Sequence, residues 1–296
     1  MKFSIDRLHQ LALIIILVFA SPTAGAATVT DDFSGGTFDT SLYEGTLATQ
    51  NNGTLTQSGG VGRFSTTSAP PASQDSHGIL ITKIKGDSSS AWSFALDTTL
   101  ASRNSLSALD FDTDEFISIT LQVSNPSDST DRMFHGIGFF EATTIPGASP
   151  PTHGVRAENQ LNGASQAVDF DFLKTGIGDD DSVTTTLTVE YDGVDTLTAK
   201  YTFNAVTTTS LTYDVSSWDA FTEFNFSIIG ISGSIAGNQQ PAEVADDSLA
   251  TFDGLNATGA GITVVPEPKD YGWIFGVSLA ITGSILRRKQ LRSDSI

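Results

Sequence analysis

Cysteine is absent from the 296 residues. That excludes disulfides, thiolate metal sites and cysteine nucleophiles. Basic residues are scarce: 15 Lys and Arg stand against 34 Asp and Glu, a formal net charge of -19. A nucleic-acid binder needs a clustered basic face to displace counterions from phosphates, so that class is excluded. Charge of either sign is thin at 17%, below the ~25% of an average globular chain. The interior holds no sustained helical stripe, no Gly-x-Ser-x-Gly elbow and no phosphate-cradling glycine loop. What is present is 39% hydrophobic residues and 27 glycines, enough for a folded core.

Long apolar runs occur only at the two ends. Lys2 and Arg7 precede Leu11–Ala20, a ten-residue run, and Ala24-Gly25-Ala26-Ala27 follows. A basic start, a short apolar stretch and a small-residue site make residues 1–26 a secretory signal helix, cleaved after Ala26. Ten apolar residues are too few to span ~30 Å of hydrocarbon. At the other end, Val265-Pro266-Glu267-Pro268 leads into Tyr271–Leu286, a single transmembrane helix by expectation, and then Arg287-Arg288-Lys289. Tyr271 and Trp273 suit the outer interface, and the basic cluster suits the cytoplasmic side. This order over residues 263–292 resembles the PEP-CTERM sorting signal of Gram-negative bacteria. The resemblance implies that Pro266, Glu267 and Pro268 are read by an exosortase, a membrane-embedded protease-transpeptidase, and that the helix is temporary. It also implies export across the inner membrane and anchoring there, then a place at the cell surface or in the extracellular matrix after processing. The plainer alternative is a C-terminal membrane anchor with an extended proline linker.

Between the ends, residues 27–262 read as one β-rich body. Over 27–268 eight basic residues face 31 acidic ones, a net charge of -23. Such a charge keeps an exported protein soluble and attracts divalent cations. The periodicity is two. Ile117, Ile119, Leu121 and Val123 alternate with Ser118, Thr120, Gln122 and Ser124. Val183, Leu187, Val189 and Tyr191 share a face, as do Leu197, Ala199, Tyr201 and Phe203. Asp192-Gly193-Val194-Asp195-Thr196 between them is a hairpin turn. Further strands are expected around 62–66, 79–84, 92–97, 134–141, 167–173, 224–231 and 249–257, with loops at 67–77, 143–154 and 236–248. The pattern predicts an all-β, antiparallel sandwich.

The opening Asp31-Asp32-Phe33-Ser34-Gly35-Gly36, then Phe38-Asp39-Thr40-Ser41-Leu42-Tyr43, resembles the start of concanavalin A-like (laminin G-like) jelly rolls. The hairpin at Tyr191-Asp192-Gly193 and the closing Ala250-Thr251-Phe252-Asp253-Gly254-Leu255 fit that superfamily's last strands. The resemblance implies a jelly-roll β-sandwich. Its members include lectins, carbohydrate-binding modules and glycoside hydrolases, and the fold does not choose among them.

Catalytic signals are weak. The superfamily's glucanase-like hydrolases carry Glu-x-Asp-x-x-Glu on a strand, and that motif is absent. Asp169 and Asp171 share a strand face, a pair read here as a solvated surface. His77, His135 and His153 lack zinc spacing. Structural Ca²⁺ is the cofactor expected: the jelly-roll resemblance implies a site at Asp32 and Asp253, where the first and last strands meet. Asp110–Glu115 lacks the glycine and the final acid of an EF-hand, and Asp179–Asp181 reads as a turn. Trp92 alternates with Phe94 and Leu96 and reads as core. Trp218, beside an expected loop, is the candidate sugar platform. The resulting expectation is an exported, non-enzymatic surface or matrix protein that binds polysaccharide. Its partners are an exosortase, the membrane through the C-terminal helix, and no nucleic acid. The alternatives are a glycan hydrolase with an unrecognised carboxylate pair and a calcium-dependent adhesion module.

Overall fold

The structure is a computed structural model. It describes residues 26–44, 48–66, 75–100, 115–128, 130–142, 152–161, 171–175, 182–234 and 250–265. The signal segment before Ala26, the sorting motif Pro266, Glu267 and Pro268, the apolar run and Arg287, Arg288 and Lys289 lie outside these residues. Among the described residues no helix is long and apolar enough to cross a membrane.

Sixteen strands are formed: β1 (Ala27–Asp31), β2 (Ala48–Gln50), β3 (Gly53–Ser58), β4 (Val61–Thr66), β5 (Ser76–Asp87), β6 (Trp92–Leu100), β7 (Glu115–Ser124), β8 (Arg132–Ala142), β9 (Thr152–Leu161), β10 (Asp171–Thr175), β11 (Val183–Tyr191), β12 (Thr196–Phe203), β13 (Val206–Asp214), β14 (Glu223–Ser234), β15 (Ala250–Gly259) and β16 (Ile262–Val264). They make two antiparallel eight-stranded sheets. The first runs β13-β12-β11-β6-β15-β4-β3, with β1 also on β15; the second runs β10-β9-β8-β7-β14-β5-β16, with β2 also on β5. The chain changes sheet from β1 to β2 and back at β3, at each step from β4 to β7, from β10 to β11, and at each step from β13 to β16. This is the antiparallel sandwich that the period of two predicts.

The alternation places one face of each sheet inward. Phe94 of β6 stacks on Phe226 of β14 at 4.4 Å between ring centroids, joining the two layers. Trp92 packs edge-on to Phe226 at 4.9 Å, and is core as expected. Glycines open space for this aromatic filling: a Cβ on Gly230 would overlap the Phe64 ring, and one on Gly62 the Phe252 ring. Such close packing is what makes a core specify one arrangement.

One polar bridge crosses the core. His135 of β8 is fully buried, with Nδ1 2.8 Å from Asn159 Oδ1 and Nε2 2.7 Å from the Lys200 carbonyl. Lys200 stands at a register shift in the β12–β13 pairing. Burial holds the imidazole neutral, below its ordinary range, against the opposing pull of its hydrogen-bond acceptors. A neutral ring can donate only once, and Nε2–H donates to the Lys200 carbonyl. Nδ1 then accepts, so the Asn159 amide presents its nitrogen there. This also gives that otherwise unpartnered nitrogen its bond.

The β11–β12 hairpin forms as the sequence predicts. Gly193 takes a φ of +84°, and Asp192 Oδ1 accepts the amides of Val194, Asp195 and Thr196. The expected loops at 67–77 and 143–154 end early, because β5 begins at Ser76 and β9 at Thr152. The strand expected at 167–173 is β10, from Asp171 to Thr175.

Candidate functional site

The first and last long strands do meet. β1 pairs antiparallel with β15, with Asp31 opposite Leu255. Below the junction Phe33, Phe38, Tyr43 and Phe252 pack ring to ring, Phe33 on Phe252 at 5.2 Å. Above it lies a recess of about 460 Å³, whose acidic lining is Asp31, Asp32 and Asp39 beside Gly254 and Asn256. Each of the three acids accepts an amide two residues on: Phe33, Ser34 and Ser41 respectively. The hydrogen bonds from Ser34 and Ser41 hold Asp32 and Asp39 below the ordinary carboxylate range, hence ionised. The second Asp31 oxygen is buried and faces the Tyr43 phenol, whose hydroxyl has no other partner. Burial, reinforced by the Asp31 charge, pushes the Tyr43 phenol far up and keeps it neutral.

This donor set is all oxygen and suits a hard cation. Asp253 is not part of the lining. It stands on the outer face of the first sheet, directly opposite Asp97 of β6. Burial and then the Asp97 charge push its carboxyl up. The register shift after Asp253, with Gly254 at a φ of +57°, separates Asp253 from the recess side of the strand.

Among the described residues one acidic trio converges to within 4.8 Å: Asp128, Asp131 and Asp219. Oxygens of Asp131 and Asp128 are engaged by nitrogen donors. Asp131 Oδ2 accepts the Asp219 amide at 2.7 Å and Asn125 Nδ2 at 3.2 Å, and Asp128 accepts the Thr130 amide. The trio latches the β7–β8 loop to the segment before β14.

The expectation for Trp218 is corrected. It is 5% exposed and belongs to the core cluster. It follows a short 3-10 turn, Val215–Ser217, capped by Asp214. Its ring lies 5.9 Å from Phe221 and 6.1 Å from Phe224. A sugar platform must show a face to solvent, and this one is packed on both sides of its turn. Of the hydrolase pair, Asp169 lies outside the described residues, as do Asp110 and Asp179–Asp181.

The outer face of the second sheet carries a different cluster. Opposite the core residues Ile117, Ile119 and Leu121, β7 turns Ser118 and Thr120 away from the core. They pair with Gly138 and Gly136 of β8, which keep this floor low. A Cβ on Gly136 would run into the Thr120 hydroxyl. Ser118 Oγ and Thr120 Oγ1 are buried with no hydrogen-bond partner. Further along the same face, Arg132 lays its guanidinium over Phe134, 5.0 Å from the ring centroid. Arg132 Nε is buried and unpartnered as well. On β5 of the same sheet, His77 is half-buried. Burial lowers its pKa; Asp75 opposes this and the Arg132 charge adds to it.

No protein-family model matches the chain. No curated protein matches it. Solved structures do. Peanut lectin with a nine-residue peptide is 16% identical, with a TM-score of 0.41, over 81% of this chain and 100% of that one. Alginate lyase Aly36B is 10% identical, with a TM-score of 0.44, over 79% and 96%. A β-porphyranase from the human gut bacterium Bacteroides plebeius is 12% identical, with a TM-score of 0.39, over 87% and 99%. The likeness is one of fold.

Sequence reasoning overlooked the Ser118, Thr120 and Arg132 face. The signal was there in part. Ser118 and Thr120 were assigned to the side opposite the core, but alternation does not tell an outer residue in water from one sealed without a partner. Asp31 was overlooked for the same reason, its neighbour Asp32 being the exposed one.

Proposed function

We infer that the sandwich is a polysaccharide-binding module of an exported surface or matrix protein, non-catalytic, delivered by its signal peptide and sorted by an exosortase. The observation that carries this is the outer face of β7 and β8. There Ser118 Oγ, Thr120 Oγ1 and Arg132 Nε are buried with unmet hydrogen-bonding capacity. An unmet buried polar group costs about 1–3 kcal/mol, so three on one face ask for a ligand rich in hydroxyl and oxygen groups. Phe134, under the guanidinium, adds a ring edge against which a pyranose can pack. The start of β1 at Ala27 supports the export reading, since cleavage after Ala26 would leave the sandwich whole.

The test is binding of the full chain, in mild detergent, to immobilised polysaccharides. Thr120→Val keeps the shape and removes the unpartnered hydroxyl. We expect unchanged or higher thermal stability and binding weaker by about 2- to 10-fold, the worth of one neutral hydrogen bond. Binding to no polymer overturns the reading. Release of reducing ends replaces it with hydrolysis.

Ca²⁺ at the β1–β15 junction would have a structural role, tying the first strand to the last. Asp31, Asp32 and Asp39 would hold it. A ligand at 100 times its Kd stabilises the native state by about 2.7 kcal/mol. Ca²⁺ should therefore raise the melting temperature of the wild type and of Asp253→Asn, and not of Asp31→Asn. Without Ca²⁺, Asp253→Asn should itself stabilise at pH 7 by about 0.2–1 kcal/mol, because it ends a like-charge pair across the strands. Loss of the Ca²⁺ response in Asp253→Asn instead would return the site to Asp32 and Asp253.

A further inference from the structure

We propose that the glycan recognised on the β7–β8 face is acidic, and that Arg132 reads its anionic group. The inference rests on the polysaccharide-binding reading and narrows it to a substrate class.

The argument starts from charge. Residues 27–268 carry 31 acidic residues and eight basic ones. In so acidic a chain a guanidinium has carboxylates to spare as partners. Lys200 takes one, pairing with Glu190 at 2.6 Å. Arg132 takes none: among the described residues no carboxylate pairs with it, and its Nε–H is buried and unmet. Its one described contact is the Phe134 ring beneath it. A half-buried cation left unpaired carries a cost, and part of that cost is recovered when an anion arrives.

The geometry suits an oxyanion on a sugar. Nε–H and one terminal N–H form the planar fork that matches a carboxylate or a sulfate through two parallel bonds. The Phe134 ring fixes the plane of that fork before the ligand binds. The hydroxyl-bearing floor at Thr120 and Ser118 lies along the same strand pair, two and four residues from Gln122, the cross-strand neighbour of Phe134. One end of the face therefore holds an anion fork and the other two neutral hydroxyls, which at 0% and 2% exposure must be uncovered before a ligand reads them. That division matches a sugar ring with a charged substituent. Electrostatic repulsion from the rest of the body is damped beyond about 8 Å at physiological salt, whereas a contact at the fork is not.

The experiment uses one polymer backbone in two charge states. Polygalacturonate and its methyl ester differ only in whether the carboxyl is free. Binding to the full chain in mild detergent is measured for both, with agarose and a sulfated galactan as a second pair. We expect the free acid to bind at least tenfold more tightly than the ester, a charge-assisted pair against a neutral contact. Arg132→Gln should erase that preference, bringing free-acid binding down to the level of the ester. Arg132→Lys should recover only part of it, since it keeps the charge and loses the fork. Preference confined to the sulfated galactan assigns the fork to sulfate; preference for the uronate assigns it to carboxylate. Both support an acidic glycan. Equal binding of charged and neutral forms overturns this inference while the polysaccharide reading stands. Binding to none of the four overturns both. Melting of Arg132→Gln is the folding control: loss of an unpaired, half-buried charge should not lower the melting temperature, and a lower value would contradict the unpaired state.

Discussion

Trp218→Ala should lose about 3–5 kcal/mol of stability, the range for truncating a buried aromatic. The ring is 5% exposed and sits in a chain of contacts that runs from Phe221 through Phe224 to Trp92 and Tyr191. Removing it leaves Phe224 with a void on one side and withdraws the plug beneath the Val215–Ser217 turn. The Asp214 cap and the Trp218 amide bond to the Val215 carbonyl do not replace that packing. Urea unfolding of the variant should show a lower midpoint with an unchanged slope. Where the variant remains folded, its glycan binding should equal that of the wild type, because the proposed β7–β8 face is elsewhere. Unchanged stability with lost binding would restore Trp218 as a sugar platform.

The same residue shows what the sequence could and could not convey. A tryptophan after Val215-Ser216-Ser217 sits outside any alternating pattern, so local reasoning places it in a loop. The structure buries it through contacts with β13 and β14, and only the fold supplies those. Strands with one apolar face were legible: β11 and β12 and their Asp192-Gly193 turn follow directly from period and turn chemistry. Six others were not, among them β1, β2, β3 and β16, and β13 and β9 show why. β13 reads Val-Thr-Thr-Thr-Ser-Leu-Thr-Tyr-Asp, nearly without apolar alternation, because an edge strand exposed on much of its surface needs none. β9 carries Glu158 and Gln160 in its outward register, and its inward residues include Asn159, so its pattern is broken by the partner of His135. The meeting of the first and last strands was legible from the resemblance. Which acid turned into the junction was not, since Asp31 and Asp32 differ only by the side of the strand they occupy. The candidate glycan face escaped for a related reason. Its diagnostic property is a missing partner, and that is a property of three-dimensional neighbourhoods.

The second large effect is expected at His135, and it depends on pH. The bridge from Asn159 through the imidazole to the Lys200 carbonyl joins the two sheets inside the core. His135→Ala should cost about 2–4 kcal/mol at pH 7.5, the sum of a cavity and an orphaned carbonyl. In the wild type, burial lowers the folded-state pKa below the unfolded value of about 6.5. Between those two values the unfolded chain binds the proton and the native chain does not. Stability therefore rises with pH through this window, is fully present above about 6.5, and is lost as pH falls below it. The limiting slope for one such group is about 1.4 kcal/mol per pH unit. His77, also lowered by burial, adds in the same direction. The ionised Asp32, Asp39, Asp128, Asp192 and Asp214, all held low by hydrogen bonds, add to the loss only near and below pH 4. Asp253, pushed up, acts with the opposite sign in that lower range. Unfolding free energies measured at pH 7.5, 6.5, 5.5 and 4.5 separate the two regions. The steep fall from pH 6.5 to 5.5 should vanish in His135→Gln, whose amide can still donate to the Lys200 carbonyl but cannot titrate. A wild type with flat stability over that interval would mean that the native core admits a charged imidazole. The bridge would then be the one with both ring nitrogens donating and the Asn159 oxygen, not its nitrogen, facing Nδ1.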